Sequence, residues 1–254
     1  MEERKETEIS YYDQKAQQLM QGANQKGDFE GFDPFLLSSY QFLQSYLKDK
    51  LAGKKVLDFG CGNGVHSFWL AEAGAEVIGI DLSQKSLELA RERAKKQTKG
   101  IGPQFLVMDC EKLEFADNSF DIIFDGGTFS SLDLQKVFPE LARVLRPGGF
   151  VVGIETLGHN PLINAKRKLN TLVGKRTGWA ASHIVQMQDF ENAKQYFSSV
   201  KVYFFHVTGW VTFPFLKIPG FTLVLAGFET LDKMLEKIPF LRRYSFKAVF
   251  IFSK

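Results

Sequence analysis

From Lys54 to Glu155 the chain alternates short apolar runs with stretches of helical spacing. VLDF (56–59), EVIGID (76–81), QFLVMD (104–109), FDIIFD (120–125) and GFVVGIE (149–155) are almost continuously apolar. Such runs predict strands covered on both faces. Between them, Ser83 is placed to cap a helix in which Leu87, Ala90 and Ala94 share a face. Asp133 is placed to cap another that runs through Leu141 to Val144 and stops at Arg146-Pro147-Gly148-Gly149. Strands of this kind alternating with helices predict a mostly parallel sheet with helices on both sides. Right-handed crossovers then make the fold class α/β, doubly wound.

The flanks read differently. The first residues, to about 30, are polar around the pair Tyr11-Tyr12. Asp33-Pro34 is an N-cap acid followed by proline at the first helical position, and Leu36, Tyr40, Leu43 and Leu47 follow at the spacing of one buried face. Downstream, residues 157–188 are rich in Asn, Gly, Lys and Arg and read as an irregular or partly helical insertion. Asp189 reads as the cap of a short helix containing Phe190, Ala193 and Phe197. VKVYFFHV (200–207) and FKAVFIFS (246–253) predict a terminal antiparallel hairpin interrupted by residues 208–245. With no repeat and no low-complexity linker, a single domain over 1–254 is expected. Within it lie an N-terminal helical cap (1–50), a ligand-binding core (54–156), a substrate-side insertion (157–199) and the hairpin (200–254).

Composition narrows the function classes. The 254 residues are 44% hydrophobic and 24% charged, enough apolar material for one α/β core. A net charge of +3, scattered rather than striped, argues against a nucleic-acid groove. Two cysteines, Cys61 and Cys110, form no disulfide framework or CxxC pair, so no metal is expected. The charged start MEERKETEISYY lacks the apolar stretch of a secretion signal, and a reducing, cytoplasmic location is the expectation.

The chemistry is concentrated in Val56-Leu-Asp58-Phe-Gly60-Cys61-Gly62-Asn-Gly64. A buried strand ends in an acid and runs into three glycines at spacing two, ahead of a helix holding Phe68, Trp69 and Leu70. Glycines there let the backbone turn sharply and come close to a ligand, with helix N–H groups pointing at it. A dinucleotide site would want GxGxxG, but Val65 stands at the third glycine and Asp58 lies inside the strand. A carboxylate repels a pyrophosphate and attracts the ammonium and sulfonium of S-adenosylmethionine. Asp81 ends the second run, about twenty residues on, where it can accept both ribose hydroxyls. Asp109-Cys110 ends the third run, suited to an adenine amino group and ring nitrogen, and Asp125 ends the fourth beside Gly126-Gly127.

On these residues the chain resembles the class I S-adenosylmethionine-dependent methyltransferases, especially their small-molecule branch. VLDFGCGNG is similar to the family's first motif, and LRPGG (145–149) to its lead into the fifth strand. The resemblance covers residues 54–156 well and the remainder loosely. It implies seven strands in the order 3-2-1-4-5-7-6 with the last antiparallel, and helical and insertion segments forming a cap. It also implies S-adenosylmethionine as cosubstrate, S-adenosylhomocysteine as product, and a cofactor site drawn from Tyr12, Asp58, Gly60, Cys61, Gly62, Asp81, Leu82, Asp109, Cys110 and Asp125. Many relatives carry a histidine after the fourth strand, where this chain reads Thr128-Phe-Ser-Ser131. The Asn-Pro-Pro-aromatic motif of nucleic-acid methylation is absent too.

A base for a hydroxyl acceptor is therefore expected elsewhere. Glu155-Thr-Leu-Gly-His159-Asn160-Pro161, followed by Asn164, Arg167, Arg176 and His183, lies at the end of the fifth run. His159 and His183 are the candidates, with Glu155 orienting one of them or the acceptor. His66 and His206 read as structural. Residues 209–228, GWVTFPFLKIPGFTLVLAGF, hold the single charge Lys217 in a long apolar stretch broken by prolines and glycines. They predict a lid or, with Lys233, Lys237, Arg242 and Arg243, a membrane-facing patch over 209–243 rather than a span. Either version suits a bulky, partly apolar acceptor, methylated on oxygen or alternatively on nitrogen or carbon, by a monomer or homodimer. A noncatalytic S-adenosylmethionine-binding protein is the reading from outside enzymology.

Overall fold

Apolar runs that meet no solvent on either face can only sit inside a covered sheet, and seven strands build one here. In a computed structural model that describes residues 2–21, 36–97, 102–172, 177–215 and 220–254, the strands are β1 (Lys55–Phe59), β2 (Glu76–Asp81), β3 (Gln104–Val107), β4 (Phe120–Asp125), β5 (Leu145–Thr156), β6 (Ser199–Phe205) and β7 (Lys247–Ser253). They form one sheet in the order β3-β2-β1-β4-β5-β7-β6. The pairs among β1 to β5 are parallel, and β7 runs antiparallel to both of its neighbours. This is the doubly wound α/β sheet that the sequence predicts, with its order and its reversed strand.

Helices cover both faces: α1 (Glu3–Met20), α2 (Ser38–Leu47), α3 (Val65–Glu72), α4 (Gln84–Gln97), α5 (Leu134–Val144), α6 (Pro161–Leu172), α7 (Gly178–Ser182), α8 (Met187–Ala193), α9 (Phe221–Leu235) and α10 (Pro239–Arg242). The period-two alternation of β7 divides the core between the faces. Phe250 and Phe252 pack with Val137 and Leu141 of α5 and Phe190 of α8. Val249 and Ile251 pack with Tyr40, Leu43 and Leu47 of α2 and Phe221 and Leu225 of α9.

Two caps follow the sequence reading. The Ser83 hydroxyl accepts the Ser86 N–H at 3.0 Å to open α4, and the Asp133 carboxylate accepts the Gln135 N–H at 3.1 Å to open α5. Other details differ. Asp33-Pro34 lies outside the described residues; α2 starts at Ser38, and Leu37 is buried while Leu36 is exposed. Arg146–Gly149 enters β5 instead of merely ending α5, and the register jumps there from Phe120↔Leu145 to Ile122↔Phe150. Asp189 is the third residue of α8, accepting the Gln186 N–H at 2.8 Å, so Gln186 is the cap. β6 stops at Phe205 because His206 takes a left-handed φ of 63°. The described parts of 157–188 hold α6, α7 and the start of α8, and those of 209–243 a 3-10 turn (Gly209–Phe215), α9 and α10. No helix among the described residues is long and apolar enough to cross a membrane.

Candidate functional site

The glycine turn after β1 is folded against the end of β2. Gly60 has φ of 68°, and a Cβ there would stand 2.4 Å from the Thr128 side chain, so a side chain is excluded by both backbone and space. The Cys61 N–H donates to the Ile80 carbonyl at 2.8 Å. Asp81 completes the corner, accepting the Gly62 N–H at 2.9 Å and the Ser83 N–H at 2.8 Å.

This corner floors a solvent-connected cleft of about 250 Å³, just below the range of sites for drug-sized ligands, roughly 300–1,000 Å³. Of the residues expected to hold a cofactor, Tyr12, Gly60, Cys61, Gly62, Asp81, Leu82, Asp109 and Cys110 line it. Asp58 and Asp125 do not; both stand behind the lining, almost fully buried. Asp58 accepts the Ser67 hydroxyl, and burial pushes its carboxyl up to about 7. Asp125 accepts the Thr128 N–H at 3.0 Å and the Gly127 N–H at 3.3 Å; burial and then the charge of Glu155 push it well above the usual carboxylate range. Burial raises Asp81 as well. Burial dominates all three, with Asp81 adding to the rise at Asp58 and Asp58 to that at Asp125, and a cation bound in the cleft would relieve that cost.

The opposite wall is α1, within the N-terminal helical cap expected over 1–50. Its Lys5 ammonium sits 2.6 Å from Asp109 and 2.9 Å from Glu111, and Arg4 pairs with Glu111 at 2.6 Å while donating to the Ser131 carbonyl at 3.0 Å. Asp13 accepts the Ser83 hydroxyl at 2.6 Å, so the helix is pinned to the ends of β2, β3 and β4 together.

A second recess, of about 400 Å³, adjoins the cleft and shares Tyr12, Lys15, Gly126 and Gly127 with it. Tyr11, Tyr40, Glu155, Asn170 and Lys247 are among its walls. Glu155 accepts the Phe129 N–H at 2.6 Å and is buried. Burial pushes the Lys247 ammonium down to about 8, opposed by the charges of Glu155 and Asp125.

His159 and His183 line neither recess. The Nε2 of His159 accepts the Met187 N–H at 3.1 Å, and His183 stacks on Trp179 with ring centroids 3.5 Å apart. His66, read as structural, lines the cleft; a Cβ on Gly126 would stand 2.5 Å from its Nδ1. His206 is buried against the Ser39 hydroxyl at 2.9 Å, as a structural histidine should be, with burial lowering it to about 3. Arg176 lies outside the described residues. No cluster of metal-ligating side chains occurs among the described residues.

Similarity to known proteins agrees with this architecture. Residues 57–153 match the family described as a methyltransferase domain. Methyltransferase GfsG of Streptomyces halstedii is 43% identical over 103 residues, 40% of this chain and 37% of that protein. Phosphoethanolamine N-methyltransferase 1 of Triticum aestivum is 40% identical over 106 residues, 41% of this chain and 21% of that protein. The chain therefore spans less than two fifths of the length of these curated relatives. Among solved structures, phosphoethanolamine N-methyltransferase 2 of Haemonchus contortus, in complex with phosphomonomethylethanolamine and S-adenosylhomocysteine, shares the fold with a TM-score of 0.59 at 23% identity, over 83% of this chain and 51% of that one. With the glycine turn, the strand-end acids and the sheet order all in place, the chain has the class I S-adenosylmethionine-dependent methyltransferase fold, and its residues 57–153 belong to the methyltransferase-domain family.

Proposed function

We propose that this protein transfers a methyl group from S-adenosylmethionine, held in the cleft, to a small-molecule acceptor held in the adjoining recess. The observation that carries this reading is the junction of the two recesses at Gly126-Gly127 and Tyr12, directly beyond the strand ends. That is where ligands meet in doubly wound sheets. The residues fit the donor. Asp81 offers a carboxylate to the ribose, Asp109 and Cys110 face the adenine end, and the buried Asp58 and Asp125 supply negative potential toward the ammonium and sulfonium once those cations displace their protons. The same potential disfavours a dinucleotide pyrophosphate.

S-adenosylmethionine brings an already activated methyl, so the protein's task is alignment and exclusion of water. Tyr12, with α1 behind it, walls both ligands. Glu155 is the one residue of the expected catalytic set that lines the acceptor recess, and it takes the proton released when a hydroxyl acceptor is methylated. Lys247 lines the same recess, where the charges of Glu155 and Asp125 counter the burial that lowers its ammonium to about 8. The acceptor is bulky and partly apolar, since Tyr11, Tyr40, Ile154 and Ala180 share its recess with the polar groups. Cys61 and Cys110 are both buried free thiols, which suits a reducing compartment such as the cytoplasm.

Calorimetry tests the reading. S-adenosylmethionine binds the protein, and NAD binds more weakly or not at all; the reverse order would overturn the proposal.

A further inference from the structure

The segment between β6 and β7 faces two ways. On α9, Phe221, Leu225 and Asp232 point into the protein. Leu223 and Met234 fall on the opposite side of the helix, Val224 and Leu231 on its flank, and all four are exposed, Leu223 by 79%. Ile238 and Phe240 continue the exposed apolar surface through α10.

Charge is sorted along the same division. All three acids between 221 and 243 turn inward. Glu229 accepts the Ser38 N–H at 2.8 Å, Asp232 accepts the Thr208 and Gly209 N–H groups at 2.7 and 3.0 Å, and Glu236 is half-buried. Lys233, Lys237, Arg242 and Arg243, the four cations, are exposed. Neighbouring α6 repeats the arrangement, with exposed Leu162, Leu169 and Leu172, exposed Lys166 and Lys168, and no acid in its sequence. The two elements are joined where the Asn160 amide donates to the Tyr244 carbonyl at 3.1 Å.

We infer that α9, α10 and α6 form a docking surface for an anionic lipid membrane. An apolar face rimmed by cations, with its acids withdrawn, matches an interface of acyl chains beneath negative headgroups. A second copy of the chain fits less well, because two cationic rims would be brought against each other. The docking surface goes beyond the methyl-transfer reading and does not require it.

The test is sedimentation of the full chain with vesicles, without any acceptor. Vesicles of phosphatidylcholine containing about one third phosphatidylglycerol should retain at least tenfold more protein than pure phosphatidylcholine, and about 0.5 M salt should largely reverse the difference. Replacing the rim (Lys233→Glu, Lys237→Glu, Arg242→Glu, Arg243→Glu) should cut retention about tenfold. Leu223→Ser with Phe240→Ser should do the same at unchanged charge. Calorimetry with S-adenosylmethionine checks that each variant is folded. Equal retention by both vesicle types, retention indifferent to both sets of substitutions, or ultracentrifugation showing a dimer that Leu223→Ser with Phe240→Ser abolishes would overturn the inference. None of those results would bear on methyl transfer.

Discussion

Lys5 of α1 meets Asp109, just beyond β3, in an ion pair of 2.6 Å, and so the helix over the cleft is fastened to the acid at its far end. Both side chains are largely shielded, and Lys5 also reaches the buried Glu111. Removing a charged partner from such a pair costs about 1–3 kcal/mol. Lys5→Met should therefore raise amide exchange along α1 about tenfold or more and speed S-adenosylmethionine release by a similar factor, read by stopped flow. Unchanged exchange in α1 would show that the pair does not fasten the helix.

Asp81 has two tasks, closing the glycine corner and presenting oxygen to the ribose. Asp81→Ala should weaken S-adenosylmethionine by about 2 kcal/mol or more, since it removes charge-assisted hydrogen bonds. Calorimetry measures it directly, and equal affinity in the variant would remove the ribose assignment.

In single-turnover kinetics with an acceptor that the wild type methylates, Glu155→Gln should lower the rate by about two to four orders of magnitude while donor affinity stays nearly intact. His159→Ala and His183→Ala should stay within about threefold of wild type, because neither residue lines a recess. A large loss in either histidine variant, with Glu155→Gln near normal, would return the base to the segment after β5.

Asp58 connects the site to stability. Its carboxyl rises from an ordinary 3.8 to about 7 in the fold, so the folded chain holds that proton more tightly than the unfolded chain does. The resulting stabilisation is complete below about pH 4 and is lost as pH rises to about 7. Asp58→Asn removes this dependence. Between those pH values the ligand-free wild type should lose about 2–4 kcal/mol more unfolding free energy than the variant does, measured in urea. Parallel pH profiles for the two proteins would show that Asp58 ionises normally.

The sheet and the cofactor corner were legible in the sequence because their signals are local. Val56 to Phe59 must be a covered strand, and Gly60 needs a conformation that other residues avoid. What escaped is set by contacts distant in sequence. His66 sits in an ordinary helical stretch, and only the return of β4 brings Gly126 against its ring. His159 follows β5 closely, where a base near the donor would be sought, yet α8 claims its Nε2 through Met187. The role of α1 depends on Lys5 finding Asp109 more than a hundred residues away. Asp189 shows the smaller kind of error: an acid near a helix start serves at the third position as readily as at the cap.

The place of β7 has a consequence for synthesis on the ribosome. It follows every other strand in the chain, yet it lies between β5 and β6, pairs with both, and supplies Phe250 and Phe252 to the interior. Until residues 247–253 emerge, the sheet can grow no further than β5, whose far edge stays open, and β6 has no strand to join. An open edge beside uncovered aromatic surface is the state most prone to pairing with a neighbouring nascent chain. The interval between completing β5 and releasing β7 is thus when this polypeptide most needs a chaperone.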